Sequence, residues 1–369
     1  MKANIVYPDY SNSITNLANS ILQKWGLPIN GGTLELLDPY LVRDYKNIVV
    51  FLLDGLGKCI IERICEKNGF LNSHLAGTFS STFPSTTVAA TASVDSGLAP
   101  CEHGWLGWTC YFPQIDRNVS VYRNTDPETG EMVAEESVVW TYCRYPRVID
   151  KINAAGGKGY YVTPFIPPYP ESFEASCELI KAYCQEPGQK YIYCYCDEPD
   201  NTIHLTGCYS SEAKQVVSAL ERRIETLAAE LKDTLIIVTA DHGMMDVEGV
   251  CIKDYPAITD CLKRIPTIEP RALNLFAKED KRDEFEKAFT GEFGQKFLLL
   301  PKAKVLEMKL FGCGNEHKDF RSMLGDYLAV AVADVSIFNS QADVEKFVAG
   351  HAGLTEDEMA IPMIVFETN

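Results

Sequence analysis

Histidine is scarce in this chain, with six among 369 residues, and long apolar runs are missing altogether. No stretch approaches the roughly 18 uninterrupted apolar residues of a spanning helix, so no membrane-embedded role is expected. The opening segment carries Asp9 and Asn12 where the apolar core of a secretion signal would sit, so export is not expected either. Basic residues are in deficit: 34 Lys and Arg stand against 51 Asp and Glu, a formal charge of −17, and no Lys/Arg run breaks the pattern. Such a surface repels phosphate backbones and excludes nucleic-acid scaffolding. Repeats and low-complexity tracts are absent. Apolar residues, by contrast, make up 46% of the chain, enough for a large core and too many for disorder.

The 13 cysteines are odd in number and spread through a long chain without small-scaffold spacing. That usage fits a reducing cytoplasm better than a disulfide framework. Alternation places Cys194 and Cys196 on one face of a strand, where buried core thiols are expected.

Several apolar runs end in residues capable of chemistry. Asn47 to Leu53 leads into Asp54-Gly55, Tyr191 to Cys196 leads towards Asp200, and Thr234 to Ala240 leads into Asp241-His242-Gly243. The segment Ser211 to Leu231 has apolar positions at three- and four-residue spacing, as an amphipathic helix does. Strands alternating with helices, with acids at the strand ends, predict an α/β fold whose ligands bind beyond the carboxyl edge of the sheet. Residues 110–190 read as a loop-rich segment on the substrate side. The order of elements over 266–334 reads as a small α+β insertion, leaving 1–265 and 335–369 as the catalytic core.

The sharpest local signal lies between Thr82 and Gly97. Pro84 and Ser85 break an extended chain, and Thr86 or Thr87 then opens a helix of small residues that closes at Gly97. A hydroxyl at a helix N-terminus faces free N–H groups and the positive end of the dipole, a favourable place for an oxyanion. Asp200 and His204 stand at i, i+4, so carboxylate and imidazole share one face, as metal ligation needs. Asp241-His242 adds an adjacent pair at a strand end, and His351 lies in a glycine-flanked loop. Together with Asp54 these residues supply donors for two metal sites of mixed nitrogen and oxygen ligands.

In this order the motifs resemble the alkaline phosphatase superfamily, closest to its type I phosphodiesterase/nucleotide pyrophosphatase branch. The resemblance implies an alkaline-phosphatase-like three-layer sandwich around a mostly parallel sheet. It implies one metal on Asp200, His204 and His351, and a second on Asp54, Asp241 and His242 with a threonine hydroxyl beside it. The family nucleophile precedes the helix-ending glycine by ten positions, which selects Thr87 over Thr86. The implied activity is phosphoester hydrolysis of the phosphodiesterase/nucleotide pyrophosphatase kind, by two divalent ions, zinc before manganese or iron, through a phospho-threonine intermediate. A phosphomonoesterase or a phosphonate (C–P) hydrolase on the same site is the alternative, and a catalytically silent metal-binding protein a remote one. The partner expected is a small phosphoester.

The chain departs from the branch at two positions. Val88 follows the nucleophile where an aromatic residue stacks a nucleobase, and Trp108 stands where an asparagine donates to a phosphate oxygen. Trp108 and Tyr111 are candidates for a leaving-group pocket, and Arg271 for contact with a substrate anion. His103 is expected to be structural.

Overall fold

A computed structural model describes residues 4–369. Asn47–Leu53 is buried along its whole length, as an apolar run covered on both faces of a parallel sheet must be. It pairs in parallel with Lys190–Cys196 on one side and Thr234–Thr239 on the other. Lys158–Val162 extends the sheet in parallel beyond Lys190–Cys196. Ala360–Glu367 runs antiparallel to Thr234–Thr239 and joins Leu75–Ser80 at the far edge. The result is a six-stranded, mostly parallel sheet with a single reversed strand.

Helices Ile14–Lys24, Lys58–Ile64, Phe173–Gln185 and Ser211–Glu230 bury apolar residues in the core around this sheet, giving a mixed α/β fold in layers. Ser211–Glu230 illustrates the cause. The Ser210 side chain caps it by accepting from Ala213 N, and Ala213, Val217, Leu220, Ile224, Leu227 and Ala228 form its buried stripe. Burial of each large aliphatic side chain is worth about 1.5–3 kcal/mol.

A second six-stranded sheet is antiparallel, in the order Phe297–Pro301, Tyr327–Ala331, Ala272–Leu275, Thr267–Glu269, Thr109–Phe112, Arg117–Ser120. The 266–334 stretch therefore does not close a sheet by itself, because the Thr109–Ser120 hairpin completes it. Helix Thr87–Ser96 joins the two units. Its Val88 and Ala92 pack into the apolar cluster of the second sheet. Its Ala90 and Val94, also four residues apart, pack into the core of the first. Small residues are needed because this helix is gripped on two faces. Gly97 ends it in the left-handed region at φ 75°, where an added Cβ would also meet Asn19 Oδ1 at 2.8 Å.

Candidate active site

The carboxyl ends of three adjacent strands deliver the acids. Asp54 follows Leu53, and its backbone is tied twice to the chain that leaves Lys190–Cys196: its N–H donates to the Cys196 carbonyl at 2.9 Å, and its carbonyl accepts from Asp200 N at 3.0 Å, while the next N–H, of Gly55, donates to Asp241 Oδ1 at 3.1 Å. Asp200 opens the helix Asp200–Thr206, which carries His204 one turn on, with Nε2 3.3 Å from Asp200 Oδ1. Asp241 and His242 follow Thr234–Thr239 just before Gly243, where an added Cβ would lie 2.0 Å from the Asp357 carbonyl oxygen. His351 enters from the loop after Ala349–Gly350, its Nε2 3.9 Å from Asp200 Oδ1.

Thr87 is the first residue of its helix, with Thr86 as the extended N-cap. Its hydroxyl donates to Asp54, with Oδ2 at 3.2 Å, and lies 3.3 Å from His242 Nε2. Thr86 points elsewhere and donates to Glu269 Oε1 at 2.7 Å. All seven residues expected from the sequence thus converge at one edge of the sheet. Ligand atoms of Asp200, His204 and His351 lie within 4.8 Å of one another, as do those of Asp54, Asp200 and His242. Asp200 belongs to both groups, while Asp241 Oδ2 lies 3.6 Å from His242 Nε2.

Two observations make this cluster suited to cations. Asp200 Oδ1 and Asp241 Oδ2 are buried and have no hydrogen-bond partner among the described residues. The three imidazoles are oriented alike: Nδ1 of His204, His242 and His351 meets the carbonyl of Ala349, Gly243 and Ser85 at 2.8, 3.1 and 3.0 Å. Each Nε2 is thereby left to a ligand, the usual backing of a metal-bound histidine.

The electrostatics point the same way. Burial, then the Asp54 charge, pushes the Asp200 carboxyl well above its ordinary range and Asp241 up to about 8. Burial also acts to lower His242, but Asp241 and Asp54 outweigh it and raise the imidazole to about 10. Burial opposes ionisation of Asp54, yet His242 holds its carboxyl below the usual value. Burial lowers His204 to about 4 and His351 well below its ordinary value, so both are neutral donors near pH 7. Three acids crowded around one imidazolium form a site in deficit of positive charge.

The rim expected from the sequence is only partly there. Trp108 is 41% exposed, and its backbone N–H donates to Glu269 Oε1 at 2.7 Å. Tyr111 is corrected: its hydroxyl donates to Asp116 at 2.9 Å and its ring lies 4.0 Å beneath the Arg264 guanidinium, so it serves a surface cluster. Arg271 is corrected as well. It is fully buried, bonded through Nε and Nη2 to Glu358 at 2.6 and 2.9 Å and through Nη1 to the Ala333 and Val335 carbonyls. No free donor of that fork remains for a substrate. His103 is buried between Ser93 Oγ at 3.1 Å and Trp105 N at 3.0 Å, a structural residue.

Sequence reasoning missed Tyr195, whose hydroxyl donates to Asp54 Oδ2 at 2.5 Å. The signal was present, since alternation sets Tyr191, Tyr193 and Tyr195 on the strand face opposite Cys194 and Cys196. It also missed Glu269, which ties the second sheet to the entry of the Thr87 helix.

No curated protein matches the chain in sequence. Among solved structures it is similar to an inactive form of murine ectonucleotide pyrophosphatase/phosphodiesterase 5 in complex with AMP, at 18% identity and a TM-score of 0.66, over 87% of each chain. The human protein of the same name gives 17% identity and a TM-score of 0.67, over 86% of this chain and 87% of that one. Phosphonoacetate hydrolase from Sinorhizobium meliloti 1021, in complex with phosphonoformate, gives 16% and 0.65, over 88% of this chain and 91% of that one. At such identities the likeness is one of fold. Sequence carries the classification further: the model of the type I phosphodiesterase / nucleotide pyrophosphatase family matches residues 48–293, most of the chain, and the protein belongs to that family of metal-dependent phosphoester hydrolases.

Proposed function

We propose that the protein hydrolyses phosphodiesters with Thr87 as nucleophile, Asp200, His204 and His351 holding one divalent cation, and Asp54, Asp241 and His242 a second. The observation that carries this reading is the Thr87 hydroxyl, set at a helix N-terminus and against Asp54 and His242, in a cluster whose Asp200 Oδ1 and Asp241 Oδ2 have no hydrogen-bond partner among the described residues. Bound cations would supply charge neutralisation and a lower hydroxyl pKa. Thr87 Oγ attacks phosphorus in line, its proton passing towards the Asp54 side. The Oγ–P bond forms as the bond to the leaving oxygen breaks, and the leaving group takes up a proton. The backbone N–H groups of the first helical turn hold the phosphoryl oxygens. Water then cleaves the Oγ–P bond, releasing a phosphomonoester and restoring Thr87.

Mixed imidazole and carboxylate donors favour zinc, with manganese or iron next. A cytoplasmic location is supported by 13 free cysteines, 11 of them buried. A nucleotide is not the favoured substrate, because Val88 is fully buried in the place of a stacking aromatic.

The test is a comparison of kcat/KM for bis-p-nitrophenyl phosphate, p-nitrophenyl phosphate and phosphonoacetate at mildly alkaline pH with added zinc or manganese. The diester is expected to lead, and Thr87→Ala to cut its turnover by roughly a thousandfold or more. Unchanged turnover in that variant sinks the assignment. A lead for the monoester or the phosphonate transfers the site to that chemistry.

A further inference from the structure

The helix that presents Thr87 carries a stripe that the phosphoryl chemistry leaves unused. Within Thr87–Ser96 every residue is buried except Thr87, Thr91 and Asp95. Their four-residue spacing sets them in one line along the helix, about 12 Å from end to end at about 1.5 Å per residue.

Two groups of aromatic residues meet this line. Trp108 and Tyr122, 41% and 49% exposed, meet edge to face at 5.7 Å, and Tyr122 Oη lies 3.1 Å from Thr91 Oγ1. On the main sheet Tyr193 and Tyr161 stand side by side in register, their rings edge-on at 5.9 Å, and Tyr161 is joined to the line through Arg147. The far end is closed by Arg147, whose Nε lies 3.4 Å from Asp95 and whose guanidinium lies over the rings of Trp140 and Tyr161 at 4.7 and 5.6 Å. Asp95 also accepts from Tyr145 Oη at 3.2 Å. The Tyr161 hydroxyl is buried and has no partner among the described residues. A buried hydroxyl left unbonded is unfavourable unless something else completes it.

We propose that this trough is the subsite for the organic group of the substrate and that it takes a hydroxylated one, the sugar or polyol of a phosphodiester; the proposal rests on the phosphodiesterase reading above. Tyr161 can donate and accept; Thr91, whose hydroxyl already donates to the Thr87 carbonyl at 2.6 Å, and Tyr122, which then donates to Thr91, are left to accept, as is Asp95, and Arg147 donates through nitrogens beyond the one facing Asp95. Neighbouring hydroxyls on a ligand can be met in both senses. A plain alkyl chain would desolvate all these groups without replacing their bonds, and an anion would meet the Asp95 carboxylate. The exposed faces of Trp108 and Tyr122 suit the apolar face of a sugar ring.

The test compares kcat/KM for three p-nitrophenyl phosphodiesters, whose second group is glucose through its 6-oxygen, hexyl, or 5-carboxypentyl. Wild-type protein is expected to favour the glucose diester over the hexyl one by tenfold or more. That ratio should fall towards one in Tyr161→Phe, which keeps the ring and removes only the unbonded hydroxyl, and in Arg147→Met, which keeps an apolar stem against Trp140. A merely structural role for these residues would leave the ratio where it is. Equal rates on the glucose and hexyl diesters, a lead for the hexyl or carboxyl diester, or a ratio unmoved in both variants overturns the trough and leaves the phosphodiesterase reading intact. Turnover of none of the three overturns that reading, and the trough with it.

Discussion

Two buried charged clusters lie close together in this protein and behave oppositely. In one, Arg271 and Glu358 are fully excluded from solvent, and the guanidinium is completed by the carboxylate and two backbone carbonyls. In the other, Asp54, Asp200 and Asp241 crowd around His242, with one oxygen of Asp200 and one of Asp241 left bare. Burial alone does not separate structure from function. Satisfaction does: a completed pair braces the fold, whereas an incomplete one is a place prepared for something that is not protein. The histidines divide the same way. Both ring nitrogens of His103 are used by the protein, while His204, His242 and His351 are anchored through Nδ1 with Nε2 turned into the cluster.

The largest effect should come from emptying the incomplete cluster. Chelation is expected to reduce phosphodiester turnover to background, zinc or manganese to restore it, and Asp200→Asn to lower bound metal measured by elemental analysis. In chelated protein Asp200→Asn should leave the melting temperature equal or higher, since the cost of burying an acid beside Asp54 is gone; a clear fall would mean that Asp200 braces the fold. Next comes the completed pair. Glu358→Gln strands the Arg271 charge and should cost about 3–5 kcal/mol in urea unfolding while leaving metal content unchanged. Loss of metal in that variant would erase the distinction between the clusters.

A smaller effect is expected where the two kinds of contact meet. Tyr195→Phe removes the 2.5 Å bond to Asp54 and should weaken metal affinity by about 10-fold, read by competition with a chromogenic chelator. Away from both clusters, near pH 7 no effect is expected at His103, which burial holds at about 3 against an ordinary 6.5, and its contribution emerges only in acid. The folded state resists its protonation, so stability falls as pH drops from 6.5 towards 3. Urea titrations of His103→Gln should show a flatter fall over that window, by up to about 1.4 kcal/mol per pH unit. Parallel curves for variant and wild type would contradict the buried, neutral ring.

Much of the core was legible because its signals are local. The apolar run Asn47–Leu53 declares a buried parallel strand, Asp200 and His204 declare a shared face, and Gly97 marks a helix end ten residues beyond Thr87. The second sheet was less legible, because its completing hairpin comes from Thr109–Ser120, far from 266–334 in the chain. Arg271 shows the limit most plainly. As a letter it is a cation near a candidate site, and only packing reveals that Glu358, 87 positions away, has taken its fork.

By itself the sequence determined which residue types could do chemistry, their order, and the periodicities that set them at strand and helix ends. These depend on backbone geometry within a few residues and need no partner. Only the tertiary structure decided which of those groups are satisfied. It joined Tyr195 to Asp54, sent Thr86 to Glu269 and Thr87 to the acids, and left the Asp200, Asp241 and Tyr161 oxygens bare. Satisfaction is a property of contacts between segments distant in the chain, so no local pattern can record it.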